Sequence, residues 1–100
     1  MRVKTDTERW AQIASVLRQA RLSSNGAGLT LAHAGRFVSR GAQAIHGWEK
    51  GLSRPDALSL LQLARLYGLD IEALLDGRLV RRRRLLGDGE VERWLADAEP

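Results

Sequence analysis

From Leu29 to Leu75 the chain is divided by its own helix breakers. Gly41, Gly51, Pro55, Gly68 and Gly77 leave no interval long enough for a helix of more than about four turns. Inside those intervals apolar residues recur at helical spacing, and the strict alternation of a half-buried strand is nowhere evident. Helices this short do not hold alone in water, so they must share a core. A chain of 100 residues amounts to about one domain, and 44% apolar content with only two prolines suits a single helical core.

Trp10, Ile13, Ala14, Leu17 and Ala20 mark an amphipathic first helix from Glu8 to Arg21, with Asp6 or Thr7 as its cap. The stretch from Ser23 to Gly28 is turn chemistry. Thr30 caps a second helix to about Val38, with Leu31, Ala34, Gly35 and Val38 on its buried side. A third runs from Ala42 to Lys50 and stops at Gly51. The fourth opens at Pro55, whose missing N–H costs nothing in a first turn, and ends at Tyr67 before Gly68. A fifth spans Asp70 to Asp76, closed by Gly77. Residues 1–77 therefore form the helical domain and residues 78–87 a basic linker. Residues 88–100 read as a C-terminal amphipathic helix capped by Asp88 and striped by Val91, Trp94, Leu95 and Ala98. That stripe needs a surface, which the body of the chain or a second copy can supply. The expected class is all-α, with five helices plus a short C-terminal one.

Several chemistries are poorly served. There is no cysteine, hence neither a disulfide framework nor a thiolate metal site. The two histidines, His33 and His46, fall on different helices, and no carboxylate cluster stands at metal-ligand spacing. Gly26-Ala27-Gly28 lacks the third glycine of a dinucleotide loop, that position being Leu31, and no strand precedes it. The sequence predicts no enzyme, metal or cofactor. The apolar runs fall short of a membrane span, and Met1 to Asp6 is polar without an apolar signal core, so a soluble, cytoplasmic protein is expected.

The formal net charge of +4 conceals a segregation. Between Arg9 and Trp48 no acidic residue occurs, whereas Arg9, Arg18, Arg21, Arg36 and Arg40 all fall there. After Pro55 the acids Asp56, Asp70, Glu72 and Asp76 outnumber the lone Arg65; then come Arg78 and the run Arg81, Arg82, Arg83, Arg84, followed by a mainly acidic tail. Such a distribution offers a basic side to a polyanion, or it is a solvated arginine-rich surface.

Helical geometry places Ile45, Trp48, Glu49 and Leu52 on one side of the third helix and Gln43, His46, Gly47 and Lys50 on the other. The first set is a core face. The second presents an amide near the helix start, an imidazole that can donate to phosphate or a base, and a terminal cation. A glutamine amide can read adenine N7 and N6 in the major groove, worth about 1 to 3 kcal/mol of discrimination. Trp10, Trp48 and Trp94 sit on apolar stripes and read as core rather than as stacking platforms.

The run from Leu29-Thr30 through Ile45-His46-Gly47-Trp48-Glu49-Lys50-Gly51 to Ser53-Arg54-Pro55, continuing to Leu75, resembles the helix-turn-helix domain of the phage Cro and lambda-repressor family, also called the xenobiotic-response-element type. Upstream, Leu17-Arg18-Gln19-Ala20-Arg21 is similar to that family's first-helix pattern. The resemblance implies that Ala42, Gln43 and Gly47 stand where base-reading side chains are carried, with Lys50 and Arg54 near a backbone-contacting loop. Thr30, Arg36, Arg40 and His46 complete the candidate DNA-contacting set, and Arg81 to Arg84 are a candidate backbone-contacting arm. It further implies an internal salt bridge between Arg18 and Glu49. The departures are specific. Residues 22–27 are inserted between the first two helices, Leu31 replaces a phosphate-gripping glutamine, Ser39 replaces the usual turn glycine, and Gly47 leaves the reading surface bare.

The expected function is sequence-specific binding of double-stranded DNA by a transcriptional regulator, a homodimer on a palindromic operator. The alternative is a protein-binding module, an antitoxin or enzyme inhibitor that keeps the fold. Leu31, Ala42, Ala44 and Gly47 motivate it, as does the tail, where Val91, Trp94 and Leu95 can dock on a protein partner. A weaker third reading is non-specific nucleic-acid binding.

Overall fold

Five helices account for most of residues 5–24, 28–82 and 93, which the computed structural model describes. They are α1 (Asp6–Ser23), α2 (Leu31–Phe37), α3 (Ala42–Glu49), α4 (Ala57–Tyr67) and α5 (Ile71–Leu75), with no strand among the described residues. Arg83, Arg84, Val91, Trp94, Leu95 and residues 25–27 of the expected insertion lie outside the described residues. Of the expected tail helix only Arg93 is described, helical and exposed. No helix among the described residues is long and apolar enough to cross a membrane.

Local side-chain chemistry sets four of the five starts. The hydroxyls of Thr5 and Thr30 accept from the backbone N–H of Glu8 and His33 at 3.2 and 3.0 Å. The carboxylates of Asp56 and Asp70 accept from Ser59 and Ala73 at 2.7 and 2.9 Å. Each satisfies a donor that the first turn leaves unpaired. Thr5, rather than the expected Asp6 or Thr7, is the α1 cap, since it stands three residues before Glu8. Pro55 does not open α4. Asp56 holds the capping position, the helix begins at Ala57, and Pro55 is buried just outside it. Gly68 ends α4 in the left-handed conformation.

The core gathers Ile13 and Leu17 from α1, Ile45 from α3, Leu63 and Leu66 from α4, Leu69, and Leu74 from α5, all less than 2% exposed. Trp48 and Tyr67 pack into the same cluster, with Trp10 and Leu31 half-buried at its edge. Leu52 was expected on the inner face of the third helix and is instead 78% exposed. The helix stops at Glu49, and Gly51, at φ 74°, redirects the chain before Leu52 can follow the helical face.

Two details bring α2 and α3 together. A Cβ on Gly35 would lie 2.8 Å from the Gly41 carbonyl group and 2.9 Å from the Arg40 oxygen, so only a glycine permits this approach of α2 to the turn. Ser39 then reverses the chain at φ 58°, a left-handed conformation that a side-chain-bearing residue adopts only at a cost.

The ion pair expected between Arg18 and Glu49 is formed by Arg21 instead. Arg21 Nε and Nη2 donate to the two Glu49 carboxylate oxygens at 2.7 and 3.0 Å, and Nη1 donates to the Leu29 carbonyl at 2.8 Å. Arg18 points to solvent, whereas Arg21 shares a face with the buried Ala14 and Leu17. Because α1 continues to Ser23, it carries Arg21 to the level of α3. The bidentate contact holds the Arg21 guanidinium above its ordinary pKa despite burial. Beneath the pair, burial pushes the Tyr67 phenol up, with the Glu49 charge adding to the effect.

Packing continues past the boundary expected at residue 77. Leu69 and Arg81 form a single antiparallel bridge, in which Asp70 N–H donates to Val80 at 2.8 Å and Arg82 N–H to Gly68 at 3.0 Å. The Arg81 guanidinium donates to the Tyr67 carbonyl and, at 2.9 Å, to Ser23 Oγ. With Leu79 packed against the core, residues 78–82 belong to the body rather than to a linker.

Candidate nucleic-acid interface

α3 owes its orientation to two side chains. Ile45 and Trp48, three residues apart and 1% and 6% exposed, fix the inner face. Glu49 adds a tether, since its carboxylate is held by Arg21 on α1. With that side committed, Gln43, His46 and Lys50 are all exposed, and Ala42 and Gly47 are half-buried between them. The outer face thus carries an amide, an imidazole and an ammonium group in one row. At its start Gly41 provides no side-chain cap.

Gly47 is less empty than its lack of a side chain suggests. The N–H groups of Leu52 and Ser53 both turn back to its carbonyl at 2.9 and 3.4 Å, and a Cβ there would meet Ser53 Oγ at 3.1 Å. The turn after α3 therefore covers the end of this face.

The remaining candidates divide by what already occupies them. Arg36 is exposed in the last turn of α2. Thr30 is exposed, but its hydroxyl serves as the α2 cap. Arg40 donates through Nη2 to Asp56 at 3.0 Å, an ion pair in which both side chains remain half exposed. The Asp56 carboxyl lies below its usual pKa, chiefly through the hydrogen bonds from Ser59 and secondarily through Arg40. Arg54 lies over the Trp10 ring, 5.4 Å from its centroid, at a cation–π distance. Arg81 is engaged by Tyr67 and Ser23, and Arg82 runs beside Gly68, so neither belongs to a free arm.

The structure brings Gln43, His46 and Lys50 onto one helix face and ties Arg40, Arg54 and Arg81 to other parts of the fold. Sequence reasoning missed three residues that shape the region: Trp10, which seats Arg54; Asp56, which seats Arg40; and Ser53, which covers Gly47. Asp56 had a readable signal, an aspartate three residues before Ser59 at a helix start. The other two depend on contacts that no local pattern encodes. No group of histidines and carboxylates suited to a metal ion occurs among the described residues. Comparison with protein-family models, curated proteins and solved structures returns no match to this chain.

Proposed function

We propose that the chain is a DNA-binding regulator of the lambda-repressor-like helix-turn-helix kind, with α2, the Ser39 turn and α3 as its reading unit. One observation carries this reading: α3 is fixed from beneath by Ile45, Trp48 and the Glu49 tether, while Gln43, His46 and Lys50 stand exposed together on its outer side. A helix so held can enter a major groove without reorganising. Further support comes from Ser39, whose left-handed backbone stands where the resemblance calls for a turn glycine. Gln43 reads a base edge, and Lys50 and Arg36 neutralise phosphate. Two copies on a palindromic operator act by occupancy, blocking or recruiting polymerase.

Selection of bound duplexes from a random pool at physiological salt tests the proposal. Enrichment of one motif with two half-sites about a helical turn apart is the expected result. No enrichment, with binding absent or equal on all duplexes, removes the regulator.

A second reading rests on a different observation. Leu58 and Leu61, on α4, are 66% and 49% exposed, and Leu75 at the end of α5 is 42% exposed. Large apolar side chains left in water on adjoining helices suit a protein partner. Stoichiometric co-purification of such a partner, without duplex enrichment, would favour it.

A further inference from the structure

Between the first half of α1 and the turn that follows α3 lies a cleft of about 240 Å³, whose rim shares Lys50 and Arg54 with the candidate DNA-contacting set. Its floor is apolar, formed by Ile13, Ala14, Leu17, Trp48 and Pro55, all buried. Its rim is cationic and hydroxylic: Lys50, Arg54, Thr7 and Ser53 are all exposed. No carboxylate lines it among the described residues. Arg54 is held at the mouth over Trp10, and neither Arg54 nor Lys50 forms an ion pair among the described residues.

An apolar floor with a cationic rim selects an amphiphile of opposite charge. The floor takes a ring or a branched chain, and the two cations take a monoanion. The volume lies below the roughly 300 Å³ at which drug-sized ligand sites begin, which restricts the occupant to about one ring. We infer that this cleft is a binding site for a small aromatic carboxylate, whose anion engages Lys50 and Arg54 and so competes with DNA phosphate for the same two cations. The competition rests on the proposed DNA-binding function; the ligand site does not. If one anion occupies both cations, each ligand must weaken the other by the same factor.

Benzoate is the probe and neutral benzamide its isosteric control. The ¹H–¹⁵N signals of the Trp10 and Trp48 indole groups provide the readout, since both side chains border the cleft. Benzoate should shift the Trp10 and Trp48 signals saturably with a Kd of roughly 0.1 to 1 mM, within the range that ligands of this size reach. Benzamide should bind at least about tenfold more weakly. Lys50→Gln and Arg54→Gln, both at exposed positions, should each weaken benzoate several-fold with unfolding midpoints unchanged. Absence of a saturable shift, equal affinity for the two probes, or full retention of benzoate affinity in both variants would overturn the site.

The second arm measures duplex affinity with and without saturating benzoate at constant ionic strength. A several-fold loss with benzoate and none with benzamide is expected. Benzoate binding with duplex affinity unchanged overturns the competition. Benzoate binding by a protein that binds no duplex leaves the site standing and removes the DNA reading. Duplex binding without benzoate binding does the reverse.

Discussion

The seam between α1 and α3 and the seam between the α2–α3 turn and α4 are each closed by one arginine–carboxylate pair, and the two pairs do different work. In the first, Arg21 and Glu49 meet in a two-point contact with side chains 10% and 4% exposed. In the second, Arg40 and Asp56 meet at 3.0 Å with side chains 51% and 54% exposed. Solvent screens the second pair and leaves Arg40 available to a stronger anion. The first pair has no such freedom, because either charge alone would be stranded out of water. Identical chemistry is therefore a fastener at one seam and an exchangeable contact at the other. The fastener holds α3, and the exchangeable pair stands beside the turn that leads into it.

The sharpest way to break this contrast is at Glu49. Glu49→Ala leaves the Arg21 guanidinium buried without its carboxylate and should cost about 3 to 5 kcal/mol in urea unfolding. A loss as small as that of an exposed pair would erase the distinction between the seams. The same seam encloses Tyr67, the chain's only tyrosine, whose hydroxyl finds no hydrogen-bond partner among the described residues. Burial raises its folded pKa above the ordinary tyrosine value of about 10, so its contribution to stability is fully present below that pH and is lost as pH rises through the folded value. Phenolate absorbance should accordingly appear together with loss of helical circular dichroism on alkaline titration. An ordinary tyrosine titration near pH 10 in the intact fold would show that the seam is open to water.

Next in size is the backbone approach that brings the second seam together. Gly35→Ala places a methyl group within 2.9 Å of three backbone atoms of the turn, none of which is the end of a flexible side chain. An overpacking cost of about 1 to 3 kcal/mol is expected, with duplex affinity reduced as α3 is displaced. A variant of unchanged stability would mean that the turn yields freely and does not fix α3.

What the sequence disclosed follows the range of the forces involved. Breakers and periodicity act within a few residues, so the five helices, the stops at Gly51, Gly68 and Gly77, and the burial of Ile45 and Trp48 were all readable. Register over longer distances was not. Arg18 and Arg21 are equivalent in any local pattern, and only the extent of α1 and the height of α3 decide that Arg21 meets Glu49. Leu52 continues the helical spacing but lies beyond the turn at Gly51, where periodicity no longer applies. The four consecutive arginines suggested a free arm, yet Arg81 reaches the ends of α1 and α4 at once, a contact 58 residues long in sequence at Ser23. In the candidate site, the outward direction of Gln43, His46 and Lys50 was legible because it is the complement of a core face. The engagement of Arg40 and Arg54 was not, because their partners lie on other elements.

Smaller again, and of opposite sign, is relief of the turn between the seams. Ser39 holds φ 58° with its side chain exposed, so Ser39→Gly removes backbone strain of about 1 to 2 kcal/mol. Part of that gain is offset by the greater freedom glycine gives the unfolded chain, about 0.4 to 1 kcal/mol. A net stabilisation of roughly 0.5 to 1 kcal/mol is expected from thermal unfolding. Destabilisation instead would mean that the serine side chain contributes to the turn more than its backbone conformation costs.

The smallest effect on stability is expected at Arg40, and there the contrast between the seams becomes functional. Arg40→Gln removes a screened surface pair while Asp56 keeps its hydrogen bonds from Ser59, so the unfolding midpoint should barely move. If Arg40 exchanges Asp56 for phosphate on binding, the variant should bind every duplex more weakly, and the slope of log affinity against log salt should fall by about 1. Asp56→Asn sharpens the test, because it weakens the competing carboxylate without touching the cation. It should raise duplex affinity while the salt slope stays that of the parent, since the same phosphates are neutralised. If Asp56→Asn leaves affinity unchanged while Arg40→Gln lowers it, Arg40 contacts DNA without first leaving its partner. If neither variant alters affinity or slope, the second seam has no part in recognition.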